Sequence, residues 1–518
     1  MNSNKAFYLT TPLYYVNAKP HLGTAYSTII ADVITRYQKY FGRDVLFLTG
    51  TDEHGQKIQQ SADKHGQTPI QYCDDVVALF KSVWENLDIK YDIFYRTTSQ
   101  NHIKTVQSVL QELFDKGEIY HAEYDGWYSV SEEIFLTEKE LVNGKSPAGN
   151  EVVQISEKNY FFKMSKYQER LIKYIEDNPD FILPNSRKNE VLGFLRKPLG
   201  DLCISRPKSR MSWGIEIPFD KDYVTYVWFD ALLNYAVAVG LRQESKTADF
   251  KKWWQHQNGG ANHIIGKDIL TTHAVYWSTM LMALEVDLPK TIFAHGWILN
   301  RSSEKMSKSK GDTFDPIKLV EEYGNDSLRY FVCRDIHFGN DAPFSSELLI
   351  QRINTDLANN IGNLFSRVSQ LTEKYFDGKA PGASATDESA AAIAKKTLEL
   401  GPQIQEKINR WEVSHALEQV MLVLTDYNKY LEEKAPWKLA KENKEAAGQV
   451  LQFALEGLRI CALHLRPVLP NKMTQLLTQM NCQTQVFSDT LKFDQIKQGT
   501  PIAKGSPLFP RLELPKES

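Results

Sequence analysis

The chain has 518 residues, 42% of them hydrophobic, and a formal net charge of -3. That leaves room for several cores, three or four domains as a soft prior, and excludes a uniformly basic nucleic-acid binder while allowing a local basic face. No run approaches the roughly 20 consecutive apolar residues that a spanning helix needs, and the polar start Met1 to Lys5 runs straight into a strand, so no signal peptide, anchor or transit sequence is expected. The five cysteines, Cys73, Cys203, Cys333, Cys461 and Cys482, never form a C-x-x-C pair. That argues against a disulfide framework or a zinc knuckle and for a reducing, cytoplasmic setting.

In chain order, Ala6 to Thr10 reads as a strand, Thr11 to Pro20 as a loop, and a helix opens near His21, Leu22, Gly23, Thr24 and runs to about Phe41. A strand feeding a helix start presents unpaired N–H groups and the positive end of a dipole, which suits a phosphate. Asp44 to Thr49 is a short apolar run between Gly42 and Gly50, hence a buried parallel strand. Thr51, Asp52, Glu53, His54 and Gly55 follow at its C-terminal end, where open α/β sheets place ligand-binding groups. In the plainer reading Asp52 or Glu53 only caps the helix from Gln56 onward. A further helix, with Val106, Val109, Leu110 and Leu113 on one face, ends at Gly117.

From there to about Thr225 short strand-like runs, Ile119 to Glu123 and Gly126 to Val130, and a helical piece near Tyr167 to Ile175 suggest an insertion. The α/β rhythm resumes with an expected strand at Tyr226 to Asp230 and a helix from Ala231 to Val239. The strand Asn262 to Ile265, the turn Gly266, Lys267, Asp268 and a helix to Met282 come next, and the strand Thr291 to Ala294 leads into His295, Gly296, Trp297. This alternation implies a doubly wound parallel sheet. Lys305, Met306, Ser307, Lys308, Ser309 form a polar, cationic stretch suited to clamping a polyphosphate, although a basic loop in solvent has the same letters. Beyond Arg352 the periodicity is helical, with one expected face at Ile404, Ile408, Trp411 and His415 and another at Leu451, Leu455 and Leu458; Gly378 to Ala385 reads as an exposed connection.

Taken together these residues resemble the class I aminoacyl-tRNA synthetases, and among them the methionyl-tRNA synthetases. His21, Leu22, Gly23 stand for the H-I-G-H signature and Lys305 to Ser309 for K-M-S-K-S; T-D-E-H-G at Thr51 to Gly55, Gly266 to Asp268, and His295 to Trp297 add to them. Asn363 to Arg367 (NLFSR) and Lys434 to Trp437 (KAPW) continue the match into the helical part. The resemblance implies an α/β, Rossmann-type doubly wound parallel sheet split by a connective insertion and followed by an all-α anticodon-binding bundle. Expected spans are 1–116 and 226–296 for the two catalytic halves, 117–225 for the insertion, 297–350 for the KMSKS and stem-contact region, and 351–518 for the bundle.

It also implies the reaction: L-methionine and ATP give methionyl-adenylate and pyrophosphate, and methionine passes to the terminal adenosine of tRNA(Met), the initiator included. His21, Thr24, Lys305 and Lys308 are then the expected catalytic donors, and Pro20, His21, Gly23, Gly266, Asp268 and Lys305 to Ser309 (Met306 and Ser307 included) the ATP contacts. Methionine is expected against Pro12, Leu13, Tyr15, Asp52, Trp228, Ala231, Tyr235, His273 and Trp277, with Asp52 facing the α-ammonium. Asn363, Arg367 and Trp437 are expected to read the anticodon. Magnesium is expected on the ATP phosphates and water, with no protein ligand.

Two departures from the family pattern matter. The zinc-binding cysteine pairs of many members are replaced by Tyr128, Ser129, Val130, Ser131, Glu132, Glu133, so a zinc-free insertion is expected; and Thr24 stands where a second histidine is usual. The branched-chain and cysteine enzymes of the same class are the nearest rivals, but the insertion is too small for a separate editing domain and the zinc ligands of a cysteine enzyme are missing. A non-catalytic tRNA-binding protein is the rival of another kind, with Thr24 its only support. Since apolar discrimination is worth only roughly 1 to 3 kcal/mol per methylene, some misuse of homocysteine is expected. With no dimerising domain following Leu512, a monomer is expected.

Overall fold

The computed structural model describes residues 6–17, 19–129, 134–136, 138, 141–146, 149–300, 314–484 and 491–514. The chain divides into two compact units, one comprising Met1–Ala31, Arg43–Glu85 and Ile89–His295, the other Asp32–Gly42, Asn86–Asp88 and Gly296–Ser518.

In the first unit, β1 (Phe7–Tyr15), β2 (Val45–Asp52), β3 (Ile93–Arg96), β4 (Ile182–Leu183), β5 (Ala261–Gly266) and β6 (Thr291–His295) form one sheet in the order β3-β2-β1-β5-β6-β4. Every pairing is parallel. Such a sheet is covered on both faces, so its strands carry apolar residues on both sides, and Tyr8, Leu9, Phe47, Leu48, Ile264, Ile265 and Ile292 are all buried. The chain winds outward from β1 to β3 and returns at β5, which makes the β1/β5 boundary the switch point where ligands bind. The flanking helices are α1 (Leu22–Tyr40), α2 (Gln100–Asp115) and α3 (Val227–Val237). The expected stripe Val106, Val109, Leu110, Leu113 of α2 packs in one core with Phe229, Leu232 and Leu233 of α3.

Three expectations change in this unit. First, β1 does not stop at Thr10 but runs on to Tyr15, because a register shift between Thr10 and Leu13 accommodates Pro12, and the Thr11 hydroxyl lies 2.8 Å from Thr49 Oγ1 across the strands. Second, Tyr226 to Asp230 is no strand. Val227–Val237 is a single helix, and the strand precedes it at Asp220–Thr225. The aromatic and β-branched letters of YVWFD favour a strand locally, but burial of nearly the whole helix decides otherwise. Third, the insertion span is not separate from the sheet. It holds a four-stranded antiparallel sheet, a three-stranded one and two helices, yet β4, from inside 117–225, joins the main sheet beside Ile292 and Phe293.

The second unit is helical: α4 (Asn325–Asp335), α5 (Asn363–Phe376), α6 (Glu388–Asn409), α7 (Val413–Lys434), α8 (Lys444–Leu465) and α9 (Pro470–Gln479) are its main members. Leu451, Leu455 and Leu458 of α8 are fully buried as expected. At Gly457 a Cβ would lie 2.0 Å from the Tyr427 ring, so this crossing of α7 and α8 admits only glycine. The expected face through Ile404, Ile408, Trp411 and His415 is broken: α6 ends at Asn409, Trp411 turns the chain at φ 65°, and His415 is exposed on α7.

Candidate active site

The first turn of α1 is a reciprocal cap. His21 sits one residue before the helix, its Nδ1 accepts from the Gly23 N–H at 3.0 Å, and its own N–H donates to the Thr24 hydroxyl at 2.9 Å. Thr24 in turn donates to the His21 carbonyl at 2.6 Å. The pattern is a capping box built from His and Thr. Because Nδ1 is an acceptor, the neutral ring of His21 carries its proton on Nε2. Gly23 has a local reason too: a Cβ there would stand 2.9 Å from His21 Cε1, so the ring can lie on the helix start only over glycine. Pro20, just before it, is buried.

One turn further along α1, the Ser27 hydroxyl lies 2.7 Å from His295 Nε2, and the Tyr26 ring meets His295 edge-on at 4.7 Å. His295 ends β6 and pairs in register with Gly266, the last residue of β5. A Cβ on Gly266 would lie 2.5 Å from Asp268 Oδ1, so the exposed Asp268 carboxylate folds back over a glycine backbone. The helix start, the Gly266–Asp268 turn and His295 thus line one side of the switch point. Ser27 carries no sequence signal of its own; only the fold brings it to His295. Lys305, Met306, Ser307, Lys308 and Ser309 lie outside the described residues.

Around the other side, Tyr15 of β1 pairs in register with Asp52 of β2, which is 6% exposed. Facing helices supply rings. Tyr235 Oη is 2.9 Å from His273 Nε2, and His273 Nδ1 is 2.9 Å from the Ile269 carbonyl. Nδ1 therefore holds the proton and Nε2 accepts from the tyrosine. Trp277 and Tyr235 rings are 6.3 Å apart, and Trp277 donates to His263 Nε2 at 3.3 Å, leaving His263 Nδ1 to donate to Thr10 Oγ1 at 2.8 Å. Burial holds His273 down to about 4 and His263 well below the usual imidazole range, and pushes the Tyr235 hydroxyl up. The wall is neutral at physiological pH. Trp228 and Ala231 belong to α3 with Tyr235; Ala231 is buried and Trp228 partly so, while Pro12 is buried and Leu13 partly buried on β1. His273 and Trp277 lie on a π-helical segment, Thr272–Trp277, a kind of irregularity frequent at functional sites.

Glu53 does not cap the next helix, whose cap, Gly55, has no side-chain bond. Glu53 is fully buried and accepts from Arg96 Nε at 2.7 Å and Nη2 at 2.9 Å, and from the hydroxyls of Thr98 and Thr51.

In the second unit, Asn363 and Arg367 of α5 line a groove of about 510 Å³ with Asn359, Asn360 and Asn428. Arg367 donates to Glu432 at 2.8 Å and lies 5.0 Å above the Trp437 ring, which is only partly buried. The three expected anticodon residues share one face. Among the described residues no helix is long and apolar enough to cross a membrane, and no group of three or more His, Cys, Asp or Glu side chains could hold a metal ion.

A parallel sheet split by an insertion, with a histidine-capped helix beside its switch point and a mainly helical second unit, defines a class I aminoacyl-tRNA synthetase. Residues 7–154 and 139–369 match the family described as tRNA synthetases class I (M), and 380–515 match the anticodon binding domain of methionyl tRNA ligase. The chain belongs to the methionyl-tRNA synthetase family. It is similar to the methionine–tRNA ligase of Clostridium acetobutylicum, 44% identical over 100% of this chain and 80% of that protein, and to that of Bacillus subtilis, 42% identical over 99% and 79%. Among solved structures, Mycobacterium tuberculosis methionyl-tRNA synthetase in complex with methionyl-adenylate is 37% identical, with a TM-score of 0.92 over 98% of this chain and 100% of that one.

Proposed function

We propose that the strand-end site of the first unit activates L-methionine with magnesium-bound ATP and then charges tRNA(Met), the initiator included. A methionine carboxylate oxygen attacks the α-phosphorus and pyrophosphate leaves; the 2'-hydroxyl of the terminal adenosine then attacks the carbonyl and AMP leaves. The protein forms no covalent bond in either step, so positioning and charge stabilisation carry the catalysis. His21 donates from Nε2 to a phosphate oxygen, and the helix start behind it adds its dipole. Lys305 and Lys308 supply cationic donors to the departing pyrophosphate, and Gly266 and Asp268 meet the ribose. Thr24 acts on the phosphates through His21. Magnesium rides on the nucleotide phosphates and water.

Asp52 accepts from the α-ammonium of methionine, while Tyr15, Trp228, Ala231, Tyr235, His273 and Trp277 surround the thioether, with Pro12 and Leu13 beneath. The observation that carries this reading is the Tyr235–His273 bond in a wall with no charge at neutral pH, since a soft thioether suits aromatic, uncharged surroundings. Asn363, Arg367 and Trp437 read the anticodon by amide and guanidinium bonds and by stacking.

The insertion works without zinc, held by packing: Arg206 lies 4.4 Å over the Tyr226 ring and 5.2 Å over Tyr128, and Arg210 lies 4.1 Å over Tyr128. One equivalent of tightly bound zinc by elemental analysis would refute this. A monomer in the cytoplasm, with some misuse of homocysteine, completes the reading. ATP–pyrophosphate exchange across a panel of amino acids tests it: exchange should depend on methionine, and tRNA binding without such exchange would instead identify a non-catalytic tRNA binder.

A further inference from the structure

Asp230 is fully buried on α3 and is not among the expected substrate contacts. Its Oδ2 is 2.9 Å from Nδ1 of His54, and its Oδ1 is 3.4 Å from Nε2 of His102. Both histidines are buried, at 4% and 0% exposure. A carboxylate only accepts, so each ring must present an N–H to it, and His102 Nδ1 is left to accept from the Tyr95 hydroxyl at 3.2 Å.

What these bonds join is informative. His54 lies two residues beyond Asp52, just past the end of β2, while Asp230 lies between Trp228 and Ala231 on α3. Trp213 grips the same short segment from outside: its ring is 5.4 Å from that of His54, its indole N–H donates to the Glu53 carbonyl at 2.5 Å, and its own carbonyl accepts from the Gly55 N–H at 3.1 Å. His102, on the first turn of α2, is the outer anchor.

We propose that Asp230 is a positioning residue for methionine, and that its bond to His54 fixes the spacing between Asp52 and the ring wall on α3. The inference rests on the methionine-pocket reading above. A substrate held at its ammonium by one element and at its side chain by another needs those elements at a set distance, because an error near 1 Å can cost on the order of 100-fold. The buried pair sets that distance where no loop contact could, since its desolvated partners tolerate no looser arrangement.

The test is steady-state pyrophosphate exchange with the full chain, alongside thermal melting. His54→Ala should raise KM for methionine on the order of 10- to 100-fold and leave KM for ATP near the parent value. His54→Asn, whose amide N–H stands near the place of Nδ1, should restore most of it. His102→Leu should lower the melting midpoint and leave KM for methionine near the parent value. If His54→Ala does not fold, His54→Phe, which keeps the ring but has no N–H, is read instead, with the same rise in KM expected. A parental KM for methionine in the folded variant would overturn the proposal, and so would an equal rise in His102→Leu. Asp52→Asn separates the two layers: normal methionine-dependent exchange there would sink the pocket reading itself.

Discussion

Thr24 spends its hydroxyl on His21, taking the backbone N–H at 2.9 Å and giving its proton to the carbonyl at 2.6 Å. The residue that departs from the family signature thus closes the cap that aims the signature's first histidine. Loss of a cap of this kind costs about 1 kcal/mol. Thr24→Val should therefore slow methionine-dependent pyrophosphate exchange by roughly fivefold, the equivalent of about 1 kcal/mol, with Thr24→Ser near the parent rate. Equal rates for Val, Ser and parent would show that His21 is aimed without the cap.

Arg96 and Glu53 concern stability at the same strand end. Glu53 is fully buried, and Arg96 meets it with two donors. Arg96→Met would leave a buried carboxylate without its cation, for which a loss of about 3 to 5 kcal/mol is expected. Urea unfolding of the two proteins gives the difference directly; a loss below 1 kcal/mol would mean that Thr98 and Thr51 suffice.

His464 of α8 governs part of the acid limb of stability. It is buried, its Nδ1 is 2.7 Å from the Tyr40 hydroxyl, and burial holds it down to about 3. The unfolded imidazole titrates near 6.5, so between these values the unfolded chain binds a proton that the folded one refuses. The contribution is complete above pH 6.5 and is lost as pH falls from there towards 3. His464→Asn should flatten the stability curve between pH 6.5 and 4. Parallel curves for variant and parent would contradict the assignment.

Trp437 is partly exposed beneath Arg367. Stacking of one base on an aromatic ring is worth about 1 to 3 kcal/mol, so Trp437→Ala should raise KM for tRNA on the order of 10- to 100-fold. Pyrophosphate exchange without tRNA should stay at the parent rate. If exchange fell equally, the variant would be reporting on folding.

The sequence by itself determined the class and nominated the residues proposed to meet the substrates. Strand-length apolar runs alternating with helices, interrupted once and followed by helical periodicity, define a split doubly wound sheet and a bundle, because burial on both faces of a parallel sheet and on one face of a helix leaves such patterns in the letters. His21, Asp52, Gly266 and Asp268 could be nominated from the letters because groups that meet phosphate, ammonium and ribose belong at strand ends and helix starts, and that is where the fold puts them. Tertiary structure decided the rest. Whether Tyr226 to Asp230 was strand or helix depended on what buried it; whether β4 belonged to the insertion or the sheet depended on β6; and whether α6 ran through Trp411 depended on a left-handed backbone turn. The contacts of Ser27 with His295, of His263 with Thr10 and Trp277, and of Asp230 with His54 and His102 join residues between 14 and 268 positions apart. Hydrogen-bond geometry over such separations leaves no period in the chain, so these supports of the site exist only once it has folded.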